Sequence, residues 1–125
     1  MELGNSLQRA LDNGELLVYY QPQVDMNTGK IIGMEALVRW QHPDLGMIYP
    51  SKFIPIAEEF GLISLVGEWV LITACTQTKK WQNAGFPLLH VTVNLSARQL
   101  EQKDFSKTVL NALGKTKLDP HYLEL

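Results

Sequence analysis

The chain has 125 residues, which is about the length of one ordinary domain. Hydrophobic residues make up 46% and charged residues 19% of it, a balance that excludes intrinsic disorder. The net charge of −2 excludes a general nucleic-acid binder, which would carry a basic surplus, and no apolar run is long enough to cross a membrane. An anionic ligand remains compatible with this charge if an arginine or a bound cation neutralises the ligand locally.

Cysteine use and the amino terminus both bear on the compartment. The single cysteine, Cys75, lies in a helical apolar pattern and is predicted to be a buried structural thiol. One cysteine cannot form a disulfide within the chain, which suits a reducing compartment. The segment from Met1 to Ala10 has no apolar core of the signal-peptide kind. These features predict a cytoplasmic chain, while a parent protein could still be anchored in a membrane through other domains.

Hydrophobic periodicity and turn signals predict an alternation of strands and helices. In chain order the predicted elements are a helix over 6–11, strands over 16–25 and 30–40, helices over 54–60 and 62–83, a strand over 90–96, a helix within 102–114, and a strand that opens at 122. Only a hairpin-type turn over 26–29 separates the first two strands, so they are predicted to be antiparallel. Helices separate the later strands, which predicts a parallel sheet or barrel.

Two of these helices carry positional expectations. Proline is tolerated at the first position of a helix, so Pro55 is predicted to begin the helix over 54–60. The helix over 62–83 has apolar residues at helical spacing, which predicts that they form its buried stripe. The stripe consists of Leu62, Leu65, Val66, Trp69, Val70 and Thr73.

One face of the second strand carries an acid and a base. Because successive strand side chains point to opposite faces, Glu35, Leu37 and Arg39 share one face, and the other face is apolar. Exposed Glu–Arg pairs are common and energetically minor, so a surface ion pair is one interpretation. The other interpretation is a site for a metal-bound phosphate, with Glu35 on the cation and Arg39 on the anion.

Polar residues also follow the next strand, which ends on Asn94 and Ser96. In a β/α barrel, functional residues collect at the C-terminal ends of the strands. The pattern therefore supports half of a β/α barrel with the beginnings of a polar site at one end. A small open α/β sandwich, whose polar strand ends simply face solvent, fits the same pattern.

Five motifs follow one another along nearly the whole chain. They are Tyr19-Tyr20-Gln21-Pro22, Glu35-Ala36-Leu37 continuing into Val38-Arg39-Trp40, His42-Pro43 with Gly46, Phe53-Ile54-Pro55-Ile56-Ala57-Glu58, and Val93-Asn94-Leu95-Ser96. On these motifs the chain resembles the N-terminal half of an EAL domain, the cyclic di-GMP phosphodiesterase family of bacterial signalling. The resemblance implies a truncated, half TIM-like β/α barrel with an antiparallel first strand, in which residues 1–125 end inside the fourth strand.

The resemblance also implies roles for individual residues. Glu35 and Asn94 are similar to two metal ligands of the family, and Mg²⁺ or Mn²⁺ prefers such oxygen donors. The metal is expected in the full domain, whereas its binding to this chain alone is expected to be weak or absent. Arg39 is similar to an arginine that holds a phosphate of the dinucleotide, and its planar donor fork suits phosphate oxygens. The substrate-binding residues that the resemblance implies are Gln21, Leu37, Arg39 and Pro55. For Leu37 and Pro55, ordinary packing is an equally good explanation.

Three further polar residues are not assigned to the site. Glu58 is interpreted as a structural or helix-surface acid, and His42 as a residue that anchors the loop before Pro43. The family pattern implies another metal-ligand glutamate directly after Leu125. Glu124 is therefore not assigned as a ligand, although its side chain can face the barrel interior.

Family members hydrolyse cyclic di-GMP to linear pGpG by metal-assisted attack of water. A TIM-type barrel typically needs about 250 residues, so this chain, a fragment or a natural truncation, is expected to be inactive as a phosphodiesterase on its own. An open half-barrel would expose a strand edge and apolar surface, which predicts homo-oligomers. The alternatives are a degenerate cyclic di-GMP-binding or protein-interaction module, and an unrelated α/β protein in which five ordered motifs are coincidence.

Overall fold

The computed structural model describes residues 3–125. Its elements in chain order are helix α1 (Leu3–Asn13), strands β1 (Leu16–Val24), β2 (Ile31–His42) and β3 (Gly46–Ile48), helices α2 (Pro50–Glu59) and α3 (Ile63–Asn83), strand β4 (His90–Val93), helices α4 (Ala97–Glu101) and α5 (Phe105–Thr116), a 3-10 helix (Pro120–Tyr122) and strand β5 (Leu123–Glu124). Met1 and Glu2 begin the segment on which the signal-peptide prediction rests, and they lie outside the described residues. Within residues 3–125, no helix has the length and apolarity that a membrane crossing requires.

The strands form one sheet in the order β1-β2-β4-β5, and β3 pairs with the end of β2. β1 and β2 are antiparallel, and β2, β4 and β5 are parallel. Both predictions of strand direction are confirmed. The connections explain them, because a tight turn reverses the chain whereas a helical crossover restores its direction.

The core lies between the sheet and the helices that cover one of its faces. Trp40 of β2 is fully buried and meets Phe53 of α2 edge-on, with 6.1 Å between the ring centroids. The Trp40 indole N–H donates a hydrogen bond to Oε1 of Glu15 at 3.0 Å, which satisfies this buried polar group. Val91 and Val93 of β4 are buried on the same side of the sheet. The opposite face carries the polar residues Gln21, Glu35 and Arg39 together with the apolar residues Leu17, Tyr19 and Leu37.

The long helix α3 has nearly the predicted bounds but a different buried surface. Leu65 is 50% exposed, so its place in the predicted buried stripe is wrong, whereas Trp69 is partly buried and packs against the core. α3 packs against both β4 and α5, which turns a broader face inward than the apolar stripe alone indicates. The residues that are buried are Ile63, Val66, Gly67, Val70, Leu71, Ala74, Cys75 and Thr78.

Helix α2 begins earlier than predicted. Pro50 takes a position in its first turn, so Pro55 lies inside the helix and the prediction that Pro55 begins it is wrong. An internal proline removes one N–H from the helical hydrogen bonds, and α2 nevertheless continues as a helix to Glu59. The short elements β3 and α4 were not predicted, because three to five residues show too little periodicity to reveal an element.

Candidate functional site

A cleft of about 420 Å³ opens between the C-terminal ends of β2 and β4 and helices α2 and α3, and much of its lining is apolar, including Val66, Val70 and Val93. Four of the six residues predicted for the site line this cleft, and they come from β2, from α2 and from the segment after β4. Because β2 and β4 are parallel, their C-terminal ends meet at one edge of the sheet, where β/α barrels carry functional residues. The four residues are Leu37, Arg39, Pro55 and Asn94.

The other two predicted residues, Gln21 and Glu35, lie beside the cleft. They form a directly opposed pair on β1 and β2, so their side chains share one face about 5 Å apart. Glu35 comes two residues before Leu37 on the same face of β2. The structure therefore brings the predicted residues into one region, as a cleft group and an adjacent cross-strand pair.

The strand register extends this pair into a row across four strands. Glu35 pairs with Thr92 of β4, and Thr92 pairs with Glu124 of β5. The Thr92 hydroxyl donates a hydrogen bond to Oε2 of Glu124 at 3.1 Å. Glu124 thus lies on the same face of the sheet as Glu35 and Gln21. The alternation Leu123-Glu124-Leu125 indicates this orientation in the sequence, because successive strand side chains point to opposite faces of the sheet.

Asn94 follows the last residue of β4 and its side chain is exposed. Strands about 4.8 Å apart, with a rise of about 3.3 Å per residue, place the Cα atoms of Glu35 and Asn94 about 8 Å apart. Because β4 lies between β2 and β5, Asn94 is flanked by the strands that carry Glu35 and Glu124. These three side chains offer two carboxylates and one amide oxygen at the same edge of the sheet.

This donor set fits a hard divalent cation. Mg²⁺ and Mn²⁺ take carboxylate, amide and water oxygens, and Mg²⁺ usually keeps several waters. Residues 3–125 contain no group of three His, Cys, Asp or Glu that could hold a metal. A cation at this edge would therefore need the Asn94 amide and water in addition to the carboxylates.

The segment that presents Asn94 is anchored to helix α3. The Ser96 hydroxyl accepts from the N–H of Gln99 at 3.2 Å, and Gln99 Oε1 accepts from the N–H of Ser96 at 2.8 Å, which makes a capping box. The Gln99 side chain is buried against Gly67 of α3, where a Cβ atom would collide with its amide. Gly67 therefore permits the close approach that fixes this segment beside the cleft.

The Arg39 guanidinium has two contacts within the protein. Its Nη1 donates to the carbonyl oxygen of Val38 at 2.8 Å, and its Cζ lies 5.1 Å from the centroid of the Tyr49 ring. No salt bridge joins Arg39 to Glu35 in the described structure, so the surface ion-pair interpretation is wrong. A guanidinium has five N–H donors, so Arg39 keeps donors for a ligand in the cleft.

The motif residues interpreted as structural have structural contacts. His42 is buried, and its Nδ1 accepts hydrogen bonds from the N–H groups of Asp44 and Leu45 at 3.0 and 3.1 Å. The prediction that His42 anchors the loop is confirmed. Glu58 approaches Arg98 within 3.8 Å and so connects α2 to α4, in agreement with a structural acid.

Two titratable groups are buried on the helix-covered side of the sheet. Burial raises the pKa of the Cys75 thiol to about 11 and that of the Tyr20 hydroxyl to about 12. The thiolate is the nucleophilic form of cysteine, so a raised pKa leaves Cys75 unreactive at neutral pH. The prediction of a buried structural thiol is confirmed.

The sequence matches the family description "EAL domain" over residues 4–125. The chain belongs to the EAL domain family. It is 42% identical over 125 residues to the bifunctional diguanylate cyclase/cyclic di-GMP phosphodiesterase MucR of Pseudomonas aeruginosa, a match that covers all of this chain and 18% of that protein. It is 39% identical over 121 residues to the oxygen sensor protein DosP of Escherichia coli, which covers 97% of this chain and 15% of that protein. The EAL chain thus spans less than a fifth of the length of these relatives.

Solved EAL structures share the fold of this chain. The PaMucR phosphodiesterase in complex with c-di-GMP superimposes with a TM-score of 0.93 at 42% identity, over 98% of this chain and 50% of that chain. The EAL enzyme Bd1971 bound to cGMP gives a TM-score of 0.84 at 28% identity, over 97% of this chain and 35% of that chain. The predicted half of a TIM-like barrel is confirmed, and the open sandwich and the unrelated α/β protein are excluded.

Proposed function

We propose that this EAL chain supplies the part of a cyclic di-GMP phosphodiesterase site that binds one phosphate and one divalent cation. The observation that carries the proposal is the cleft at the C-terminal edge of the sheet, which Arg39 and Asn94 line together. Support comes from the relative MucR, whose name includes cyclic di-GMP phosphodiesterase, and from the c-di-GMP complex of PaMucR.

Arg39 is the phosphate ligand in this proposal. Its planar fork can donate two parallel hydrogen bonds to phosphate oxygens, and a charge-assisted pair of this kind is strong and directional. The described part of the chain places no carboxylate within salt-bridge distance of Arg39 that would compete for these donors. Leu37 and Pro55 form apolar walls beside it, and Gln21 adds an amide next to the cleft.

Glu35 and Asn94 are the proposed protein ligands of Mg²⁺ or Mn²⁺, and water would fill the remaining positions of the ion. Glu124 lies in the same cross-strand row as Glu35, but the family pattern places the next metal-ligand glutamate directly after Leu125, so Glu124 is not assigned as a ligand. A bound divalent cation would polarise a phosphate oxygen and lower the pKa of a bound water, which is the chemistry that hydrolysis to linear pGpG requires. Glu35 and Asn94 would hold the ion at the strand ends, and Arg39 would orient the phosphate and offset its negative charge.

The test is calorimetric titration of cyclic di-GMP into the chain with Mg²⁺ present. We expect the wild-type chain to bind, Arg39→Ala to bind at least about tenfold more weakly, and Arg9→Ala, an exposed arginine of α1, to bind like wild type. Equal affinity in Arg39→Ala and wild type would overturn the phosphate assignment. A folded wild-type chain that does not bind would overturn the proposal for this chain.

Assay of the same samples for pGpG separates catalysis from binding. We expect binding without useful turnover by this chain alone. Turnover at the rate of a complete EAL domain would contradict that expectation. If a parent protein with a complete EAL domain also fails to produce pGpG, that result would favour the alternative, a cyclic di-GMP-binding or interaction module.

We further propose that the chain forms homo-oligomers. In residues 3–125, β1 pairs with β2 on one side only, and large apolar residues of these two strands are exposed, among them Tyr19 at 49% and Ile32 at 51%. Unpaired strand edges and exposed apolar surface favour association. Light scattering at high protein concentration tests this proposal, and a monodisperse monomer would contradict it.

A further inference from the structure

We propose that Gln99 is a positioning residue for Asn94. Its buried side chain lies over Gly67 of α3 and holds the backbone at Ser96, which sets the direction in which the Asn94 amide leaves the end of β4. The inference rests on the proposed function, because it assigns a purpose to a residue that supports one proposed metal ligand. Neither the motifs nor the family resemblance gives Gln99 a role.

The Asn94 side chain is not held by contacts of its own. It is exposed, and in the described part of the chain it forms no hydrogen bond or ion pair with another residue. An exposed side chain on a free loop samples several positions, and ordering it costs conformational entropy when a ligand binds. The orientation of Asn94 must therefore come from the backbone on either side of it.

The backbone is fixed one residue before Asn94 and two residues after it. Val93 is buried and pairs with Ala36 of β2. The N–H of Ser96 donates to Oε1 of Gln99 at 2.8 Å, and the Ser96 hydroxyl accepts from the N–H of Gln99 at 3.2 Å. Only two residues separate these fixed points, so the backbone between them has little freedom to turn.

The Gln99 amide has one orientation. A backbone N–H only donates, so the Gln99 atom that faces Ser96 at 2.8 Å is the amide oxygen. The residue is 7% exposed. Its amide nitrogen occupies the position that a Cβ atom of Gly67 would take, and its Cδ lies 3.3 Å from that position. The missing side chain at position 67 thus makes the space that holds this amide in place.

Two further contacts hold α4, but they lie at the surface. The Ser64 hydroxyl donates to Oε1 of Gln102 at 2.7 Å, and Arg98 approaches Glu58 within 3.8 Å. Exposed hydrogen bonds and ion pairs compete with water and contribute little. We therefore expect the buried Gln99 to determine where the segment after β4 lies. Gln102, a residue of the same type at the end of the same helix, is a matched control.

The first test measures the mobility of Asn94 by ¹⁵N relaxation NMR without any metal. We expect an order parameter of about 0.85 for the Asn94 backbone amide in wild type and below about 0.6 in Gln99→Met, which keeps the length of the side chain and removes the acceptor. Gln99→Glu keeps an oxygen acceptor in either protonation state, so it should resemble wild type, as should Gln102→Met. An unchanged order parameter in Gln99→Met, or an equal loss in Gln102→Met, would overturn the positioning role.

The space over Gly67 is tested separately by Gly67→Ala. The added methyl group meets the far end of a flexible side chain, so the fold can accept it if the Gln99 amide moves away. Alanine also favours a helix interior by about 0.5–1 kcal/mol relative to glycine. We therefore expect Gly67→Ala to remain folded in urea denaturation while Asn94 becomes mobile. A rigid Asn94 in folded Gly67→Ala would contradict the role given to this space.

A metal readout separates this inference from the proposed function. Bound Mn²⁺ broadens the NMR signals of nearby nuclei, so a titration of the chain with Mn²⁺ detects even weak binding at Asn94. Removing a residue that orients a metal ligand typically weakens metal binding about 10- to 100-fold, so broadening of the Asn94 side-chain amide signals should need about tenfold more Mn²⁺ in Gln99→Met than in wild type or Gln99→Glu. Equal broadening in Gln99→Met and wild type would overturn the positioning role. If Mn²⁺ leaves the Asn94 signals of wild type sharp, the proposed cation ligand fails, and the order parameters alone decide whether Gln99 positions Asn94.

Discussion

The guanidinium carbon of Arg39 lies 5.1 Å from the centroid of the Tyr49 ring, beside the candidate cleft. Tyr49 is the residue directly before α2, and Arg39 also donates to the carbonyl of Val38. The ring and the carbonyl together restrict a side chain that would otherwise sample many rotamers. A restricted guanidinium loses less conformational entropy when it binds a phosphate, so Tyr49 favours the phosphate role proposed for Arg39.

Substitution of Tyr49 tests this contact. An exposed cation–π contact contributes about 0.5–1 kcal/mol, so Tyr49→Leu should weaken cyclic di-GMP binding about two- to fivefold. Tyr49→Phe keeps the ring and should bind like wild type, as measured by isothermal titration calorimetry. An equal loss in both variants would show that the hydroxyl, and not the ring face, supports binding.

Tyr20 carries a buried hydroxyl that has no hydrogen-bond partner in the described structure, while its ring meets Trp81 edge-on at 5.0 Å. A buried polar group without a partner costs about 1–3 kcal/mol. Tyr20→Phe should therefore raise the free energy of unfolding by about 1 kcal/mol, measured by urea denaturation. Tyr20→Ala should lower it by about 3–5 kcal/mol, because the ring contacts are lost as well. A less stable Tyr20→Phe would mean that the hydroxyl has a partner.

Because the Trp40 indole donates a hydrogen bond to Glu15, two substitutions of Glu15 should change the free energy of unfolding by different amounts. Glu15→Gln keeps an oxygen acceptor and should change the free energy of unfolding by less than about 1 kcal/mol. Glu15→Leu leaves the buried indole N–H without an acceptor and should lower the free energy of unfolding by about 1–3 kcal/mol. Chemical denaturation measures both values, and equal stability of the two variants would argue against this hydrogen bond.

Burial of Cys75 predicts a loss of stability at high pH. Its pKa rises from 9.0 to about 11 in the folded chain. The unfolded chain releases the thiol proton near the lower value and the folded chain near the higher one, so unfolding is increasingly favoured as pH rises between them. The free energy of unfolding should fall across this interval, and the fall should be smaller in Cys75→Ala. An unchanged slope in Cys75→Ala would assign the fall to other groups, including Tyr20, whose pKa is also raised by burial.

Features that depend on residues close together in the sequence were predictable. The short turn between β1 and β2 predicts antiparallel strands, the helical crossovers predict parallel strands, and both predictions are confirmed. His42 was predicted to anchor its loop, and its two hydrogen bonds join groups only two and three residues away. The rule that barrel sites lie at the C-terminal strand ends grouped Arg39 with Asn94, whereas Leu37 and Pro55 were implied by the family resemblance.

The sequence by itself therefore determined the order of the elements, the direction of the strands and the end of the sheet at which polar residues collect. Only the tertiary structure decided that α3 buries a broader face than its apolar stripe, that Pro55 lies inside α2, and that Glu124 stands in one row with Glu35. The physical reason is that side-chain alternation and turn chemistry act between near neighbours in the chain. Strand register and the choice of buried helix face depend on packing between segments that are far apart in sequence.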